Sequence, residues 1–203
     1  MANNKEISST IKEAINQSIP PAVFFISDFS EYGHEYVRKV LSSMVQTGDL
    51  MRLANGIYVK PKMTKFGPLQ PSTEVVVKAI AAHDSAKVLP AGTTAENMLG
   101  LSTQVPMNYV YLTDGSARVI QLGNTTIKMK RAVPKIFAIQ NYNLAVLCLA
   151  MKSIGENNIT EEQMGVIRTI VVGEMNKEGF SEDILRMPMW IQKIVNNIKI
   201  ENK

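Results

Sequence analysis

Few residues in this sequence have the types and spacing that catalysis needs. The segment LTDGSA, which begins at Leu112, contains a Gly-Ser pair of the kind that precedes two metal-binding carboxylates in nucleotidyltransferases. No such carboxylates follow here, because the next acid after Asp114 is Glu156. Two-metal chemistry therefore lacks its ligands, and we interpret the pair as turn chemistry. The sequence also has no P-loop, no dinucleotide fingerprint and no Ser-His-Asp or Cys-His set, so we expect no catalytic residues.

The residue types that bind metals and cofactors are equally sparse. His34 and His83 are 49 positions apart, and neither has a cysteine or paired carboxylates nearby. The single cysteine, Cys148, lies in the apolar run Leu144 to Met151, where a buried thiol is expected. We therefore predict no metal site and no cofactor.

Groups that suit nucleic-acid recognition are concentrated on one predicted helix, about His34 to Thr47. Its apolar residues recur on one face, and Gly48 is placed to end it. The opposite face carries side chains that can reach phosphates and base edges in a major groove: His34, Tyr36, Arg38, Lys39, Ser42 and Ser43. A helix face that is simply exposed to solvent has similar residues. The neighbouring elements therefore decide between nucleic-acid recognition and an ordinary solvated face.

Those neighbours predict a winged helix-turn-helix domain over residues 1–62. A first helix runs from about Lys5 to Gln17, and Ser27 is predicted to cap a short helix that Gly33 ends. After the polar helix, Asn55-Gly56 between two short apolar runs predicts a hairpin, because both residues accept positive φ cheaply. Four further residues of this domain are expected to contact DNA, mainly its backbone: Ser27, Arg52, Asn55 and Lys60.

Charge is unevenly distributed along the chain, whose net charge is +4. Residues 1–62 contribute only +1 and residues 63–135 contribute +4, so DNA binding by the first domain would need a dimer or help from the middle segment. The excess is concentrated in four residues that predict a partner or nucleic-acid surface: Lys128, Lys130, Arg131 and Lys135. Alternatively, basic residues on an edge strand protect it from aggregation.

The remaining sequence predicts a linker over 63–71 and a second α+β domain over 72–203. Helices are expected at about 72–83 and 93–99, followed by an antiparallel meander and three C-terminal helices at about 143–153, 160–176 and 181–198. The predicted strands of the meander are Tyr109 to Thr113, Arg118 to Leu122 and Thr125 to Arg131. The predicted fold class is therefore α+β, with a small antiparallel sheet and a helical end.

Composition is consistent with a folded protein of the cytoplasm. A hydrophobic content of 45% with 20% charged residues supports a packed core. The first residues lack the basic-then-apolar pattern of a secretory signal, and no apolar run approaches the length of a membrane helix. We expect a cytoplasmic protein with no membrane partner.

Two blocks of sequence resemble the AbiEi-type antitoxins of type IV toxin-antitoxin systems, over about Ile7 to Pro134. The first is VRKVLSSMVQTGDLMRLANGIYVKP, and the second comprises LPAGTTAENMLGLSTQVPMNYVYLTDG with the strand NTTIKMKR. The most specific positions are Arg38, Leu41, Arg52, Gly56, Tyr58, Pro61, Gly92, Gly100, Leu101, Ser102, Pro106 and Thr113-Asp114-Gly115. The resemblance implies an autorepressor that binds the operator upstream of its own gene, and a second, antitoxin-like domain that counteracts a nucleotidyltransferase-like toxin without a stable complex.

Three functions remain open at this point. The first is the DNA-binding autorepressor and antitoxin, acting on double-stranded DNA as a homodimer on two half-sites. The second is a solitary winged-helix regulator or a protein-interaction module without a toxin partner, which the near-neutral first domain would suit. The third, a nucleotidyl-transfer enzyme, would require metal-dependent labelling of an acceptor.

Overall fold

The structure, a computed structural model, describes residues 4–201, and these residues divide into two compact units. The first comprises the described residues up to Ala79 together with Ile120–Asn124, and the second comprises Ile80–Val119 and the chain from Thr125 onward. Both units mix helices with small sheets, so the mixed helix and strand content of the predicted α+β class is confirmed. None of the helices in this described part of the chain combines the length and hydropathy needed to cross a membrane.

The first unit begins with alternating helices and short strands. In chain order they are α1 (Asn4–Gln17), β1 (Ala22–Phe25), a 3₁₀ helix (Ile26–Tyr32), α2 (His34–Gln46), β2 (Met51–Ala54), β3 (Ile57–Lys60), β4 (Lys62–Thr64), β5 (Gly67–Leu69) and α3 (Thr73–His83). The part of α3 from Ile80 onward is counted with the second unit. Strand β3 lies between β1 and β2 in a three-stranded sheet and is antiparallel to both.

One hydrophobic core joins α1 and α2 in this unit. Ile11 and Ile15 of α1 are fully buried, and they share a cluster with Leu41 of α2 and Tyr58 of β3. The apolar residues of α2 recur at intervals of three and four, so burying that face leaves its polar face outward. Gly48, at φ +83°, follows the helix, and its amide bonds to the Val45 carbonyl at 3.2 Å. The predicted α2 and its glycine end are therefore confirmed.

Two local predictions in this unit are wrong in detail. Ser27 does not precede the short helix but lies inside it, and the Asp28 carboxylate accepts from the Phe25 amide at 2.8 Å at its start. In the hairpin turn Gly56 adopts φ +74°, whereas Asn55 does not have a positive φ. A register shift between Arg52 and Ala54 accommodates this turn as a bulge, where a two-residue turn with two positive φ values was expected.

The predicted linker contains regular structure. Strands β4 and β5 form a separate two-stranded antiparallel hairpin, with Lys62 opposite Leu69. Its side chains are exposed, including Phe66 at 89%. Alternation was not visible in this segment because neither face of so short a hairpin is buried.

The second unit packs helices against a four-stranded sheet. The elements from here on are β6 (Val88–Ala91), α4 (Thr93–Met98), β7 (Asn108–Thr113), β8 (Arg118–Leu122), β9 (Thr125–Arg131), α5 (Pro134–Phe137), α6 (Tyr142–Ile154), a 3₁₀ helix (Glu156–Asn158), α7 (Glu161–Glu174), α8 (Phe180–Leu185) and α9 (Met189–Glu201). The part of β8 from Ile120 onward is counted with the first unit. Helix α6 is buried throughout Leu144 to Met151, the apolar run of the sequence.

The sheet corrects the predicted meander. Its order is β6-β7-β9-β8, so the consecutive strands β7 and β8 are not neighbours. Strand β7 instead pairs with β9 in parallel, with Val110 opposite Lys128 and Leu112 opposite Lys130. The meander was expected because consecutive strands usually pair. Here the additional strand β6, which the sequence analysis did not predict, lies antiparallel to β7 on its other side.

The C-terminal helices follow the predicted pattern with one break. Thr160 caps α7, and its hydroxyl accepts from the Gln163 amide at 3.2 Å in a capping box. The segment predicted as one helix over 181–198 is two helices, α8 and α9. Pro188 lies between them and cannot continue a helix hydrogen-bond ladder.

Candidate nucleic-acid interface

Helix α2 presents a polar face opposite its buried one. Five of the six predicted contact residues on this helix are exposed, namely His34, Arg38, Lys39, Ser42 and Ser43. The buried face is held by the core described above, with Val37 and Leu41 both fully buried. A rigid helix with donors on its outer face has the geometry that groove recognition requires.

The charges on this face are only weakly held by their neighbours. Glu35 lies 3.7 Å from an Arg38 nitrogen and 3.7 Å from His34 Nδ1, and all three side chains are more than half exposed. Exposed pairs at such distances contribute little and are screened by salt. Lys39 forms no ion pair within residues 4–201. Arg38 and Lys39 can therefore bind an anionic ligand without losing a strong ion pair.

Tyr36 differs from the other five. Its side chain is half-buried, packs against the core of the first unit and donates its hydroxyl hydrogen to the Asn4 carbonyl of α1. The hydroxyl predicted to face a ligand thus joins two helices. The sequence could not show this because the partner is 32 residues away.

The turn between β2 and β3 holds a cation at its tip. Arg52 donates from Nη2 to the Asn55 side-chain oxygen at 3.0 Å and from Nε to the Ala54 carbonyl at 3.3 Å. Both Arg52 and Asn55 are exposed. The predicted pair is therefore brought together, and the contact orients the guanidinium on the hairpin. Ser27 is also exposed, on the 3₁₀ helix that precedes α2.

Lys60 has a structural position that the sequence analysis did not foresee. Its ammonium donates to three backbone carbonyl oxygens at the C-terminal end of α1, those of Ile15 at 3.0 Å, Asn16 at 2.8 Å and Ser18 at 2.9 Å. A lysine has three N–H donors, so all of them are used. A positive charge at this helix end also interacts favourably with the helix dipole. Lys60 thus fastens α1 to the sheet.

The first unit contains a basic stretch between Asp49 and Glu74. No Asp or Glu occurs between Asp49 and Glu74, and this interval holds four cations, Arg52, Lys60, Lys62 and Lys65. Lys62 and Lys65 are exposed on the β4–β5 hairpin, and Lys65 lies 5.0 Å from the centre of the Phe66 ring. The near-neutral sum over residues 1–62 concealed this concentration of charge.

The second predicted basic surface also lies on exposed side chains. Lys128 and Lys130 project from β9, Arg131 ends that strand and Lys135 lies in α5. A shallow groove of about 450 Å³ runs past Arg118, Lys128, Lys130 and Arg131. Strand β9 is an interior strand and β8 forms the edge. The premise that these residues guard an edge strand is therefore wrong, because the edge is one strand away.

Two carboxylates of the second unit are engaged by hydrogen bonds or ion pairs with neighbouring groups. Asp84 contacts His83 Nδ1 at 2.9 Å and an Arg118 nitrogen at 2.6 Å. Partial burial raises the pKa of Asp84, but the hydrogen bonds from His83 and Arg118 outweigh this effect and leave its pKa lowered. The Asp114 carboxylate accepts from the Lys87 amide at 2.7 Å, so it bonds the segment after β7 to the residue that precedes β6. No cluster of three metal-ligating side chains occurs among residues 4–201.

Comparison with known proteins places this chain in a family. No curated protein matches the sequence. The model of the family described as "Family of unknown function (DUF6088)" matches residues 10–179, which covers the elements from α1 through α7. The chain therefore belongs to the DUF6088 family.

Proposed function

We propose that this protein is a DNA-binding transcriptional autorepressor whose first unit is a winged helix-turn-helix. The succession α1, β1, 3₁₀ helix, α2, β2 and β3, with β1 paired to β3, supports the proposal. In this interpretation the 3₁₀ helix and α2 form the helix pair, and the Asn55-Gly56 turn is the tip of the wing.

The observation that carries the proposal is the exposed face of α2. Arg38 and Lys39 lie there without a strong ion pair, beside the hydroxyl groups of Ser42 and Ser43. Inserted in a major groove, Arg38 or Lys39 paired with guanine would supply about 1–3 kcal/mol of discrimination against the wrong base. His34, at the start of α2, lies where a recognition helix approaches base edges and phosphates.

Other residues of the first unit would position the helix. Arg52 and Asn55 at the wing tip face phosphates or an adjacent minor groove, and Ser27 on the 3₁₀ helix faces the backbone. Lys62 and Lys65 add positive charge beside them, which compensates for the low net charge of the segment before them. A homodimer on two half-sites, about 10 base pairs apart or a multiple of that, would strengthen binding further.

Selection of binding sites from random duplexes tests the recognition helix. Arg38→Ala and Lys39→Ala should each relax the preference for a base at a defined position of the operator. Lys12→Ala is the matched control, because Lys12 is an exposed lysine on a different helix, α1. Unchanged preference in both α2 variants would exclude α2 as the recognition helix.

We further propose that the protein acts as the antitoxin of a type IV toxin-antitoxin system in the cytoplasm. The support is the resemblance to AbiEi-type antitoxins over about Ile7 to Pro134, which spans both units. In this role the second unit counteracts a nucleotidyltransferase-like toxin and is not itself an enzyme. A toxin encoded by the adjacent reading frame should arrest growth when expressed alone, and co-expression of this protein should restore growth. Continued arrest would leave the autorepressor without an antitoxin role.

The alternative is a solitary regulator or a protein-interaction module without a toxin partner. Salt separates DNA binding from protein docking, since each phosphate contact releases counterions and makes affinity fall steeply as salt rises. A solitary regulator would bind its operator in a salt-dependent manner but restore no growth. A docking module would show neither property.

A further inference from the structure

A cavity of about 270 Å³ opens on the surface of the second unit, and it shares Lys135 but no other residue with the basic surface described above. Lys135 of α5, Lys152 of α6 and Arg186, which follows α8, line it. These three cations come from three different segments, and no carboxylate lines the cavity with them.

The sequence around the cavity is poor in counter-charge. No Asp or Glu occurs between Asp114 and Glu156, an interval that contains both lysines of the cavity. Within residues 4–201 neither Lys135 nor Lys152 forms an ion pair. Lys135, Lys152 and Arg186 are all exposed, and like charges that converge on one cleft focus a positive potential in it. The cavity is therefore placed to attract an anion.

Arg186 is already fixed in position. Its Nη1 donates to the Asp183 Oδ1 atom at 2.8 Å. The buried Asp183 carboxylate also accepts from the backbone amides of Gln140 at 2.9 Å and Asn141 at 2.8 Å. These bonds hold the guanidinium in place before a ligand arrives, which lowers the ordering cost of binding.

The remaining walls of the cavity are apolar. Val133, Ile136 and Pro188 contribute aliphatic surface, and Cys148 contributes a buried thiol. Burial raises the pKa of the Cys148 thiol to about 11, although Lys152 lowers it, so the thiol is neutral at physiological pH. The cavity thus combines a cationic rim with an uncharged, hydrophobic lining.

We propose that this cavity is a binding site for a small organic anion, in which a phosphate or carboxylate head contacts Lys135, Lys152 and Arg186 and an apolar body packs against Val133, Ile136 and Pro188. Its volume suits a small molecule and not a polymer. The site is separate from α2 and does not depend on the proposed DNA binding.

Titration of the full chain with anilinonaphthalenesulfonate tests the site, because this probe has an anionic head and an apolar ring system. One probe should bind per chain, and its fluorescence should rise. Octanoate and phenyl phosphate should displace it, and the stronger of the two identifies the preferred head. Inorganic phosphate alone should compete more weakly than either, since it lacks the apolar body.

Charge-removing variants locate the probe. Lys135→Gln and Lys152→Gln should each weaken probe binding about fivefold or more, as expected for loss of one charged contact. Lys193→Gln is the matched control, because Lys193 is an exposed lysine of α9 that does not line the cavity. Without probe, Lys152→Gln should melt at the same temperature as the wild type or higher, because one repelling charge is removed.

Three results would overturn the proposal. The first is equal probe binding by the wild type and the double variant Lys135→Gln/Lys152→Gln. The second is a lower melting temperature of Lys152→Gln with unchanged probe affinity, which would assign that lysine a structural role. The third is displacement of the probe by a DNA duplex and not by octanoate or phenyl phosphate, which would make the cavity part of a nucleic-acid surface.

Discussion

Replacing Lys60 with methionine separates a structural cation from a DNA-contacting one. The Lys60 ammonium donates three hydrogen bonds, of 2.8 to 3.0 Å, to carbonyl oxygens at the end of α1. Methionine retains much of the aliphatic stem but removes the charge and every donor. Helix α1 has no basic residue of its own in its last turn, so nothing on that turn replaces the lost charge.

The expected loss of stability is moderate. Hydrogen bonds to a charged group contribute about 1.5–3 kcal/mol each when they are well buried. Lys60 is only half-buried, so water can hydrate the freed carbonyl groups and replace part of each bond. The favourable interaction with the helix dipole adds about 0.3–1 kcal/mol. Together these contributions predict that Lys60→Met lowers the free energy of unfolding by about 2 kcal/mol.

Urea denaturation followed by circular dichroism measures this change. At an m value of about 2 kcal/mol/M, the midpoint should fall by about 1 M. Lys62→Met is the control, because Lys62 is exposed on β4 and forms no ion pair in the described chain; its change should stay within about 0.5 kcal/mol. An unchanged midpoint for Lys60→Met, with DNA affinity reduced under folding conditions, would refute the structural role and return Lys60 to the DNA-contacting set.

Three further predictions concern stability. Burial raises the pKa of the Glu174 carboxyl, but hydrogen bonds from Lys177 and two asparagines hold the pKa below its ordinary value of 4.5. The stabilisation by the charged carboxylate is therefore present above pH 4.5 and is lost as pH falls through the native pKa. Glu174→Gln should lower the free energy of unfolding by about 1–3 kcal/mol at neutral pH and by progressively less in acid. A difference in urea midpoint that does not change with pH would contradict this. Gly56→Ala should destabilise the protein by about 1 kcal/mol, because φ is +74° at that position. Gly165→Ala should stabilise it by up to about 1 kcal/mol, because Gly165 lies on α7 with open space around it. Thermal midpoints that shift in the same direction for both variants would disprove the backbone argument. Thr160→Ala should cost about 1 kcal/mol through loss of its cap bond, and an unchanged thermal midpoint would show that the cap does not contribute.

Local signals account for the elements that the sequence predicted well. The spacing of Val37, Leu41 and Met44 fixes the buried face of α2, and Gly48 marks its end. The Asn55-Gly56 pair located the hairpin even though its turn differs in detail. Such features depend on residues a few positions apart, which a single sequence displays directly.

Non-local pairing accounts for most of what the sequence did not predict. Strand β1 is a four-residue apolar segment whose partner, β3, lies more than thirty residues further on. The parallel pairing of β7 with β9 places β8 at the edge. No local pattern encodes this pairing, because β8 lies between the two partner strands in sequence. Register and strand order arise from the packing of the whole sheet.

In the candidate site, too, local patterns predicted some features and non-local contacts determined the others. Periodicity identified the exposed positions Arg38 and Lys39, since that face follows from the buried one. Residue type alone assigned Tyr36 and Lys60 to the same surface, but each makes a hydrogen bond to α1 across the fold. A polar side chain near a predicted interface has many backbone acceptors available, and only the three-dimensional structure shows which one it uses.

Fluorescence anisotropy of the purified protein measures sequence-specific DNA binding. The titrations would compare DNA from upstream of its own gene with a scrambled duplex of equal length, each at a low and a moderate salt concentration. We expect tighter binding to the upstream sequence, steep weakening as salt rises, and loss of the sequence preference in the double variant Arg38→Ala/Lys39→Ala. Equal, negligible binding to both duplexes at low salt would contradict this expectation and leave the polar face of α2 as a surface for another protein.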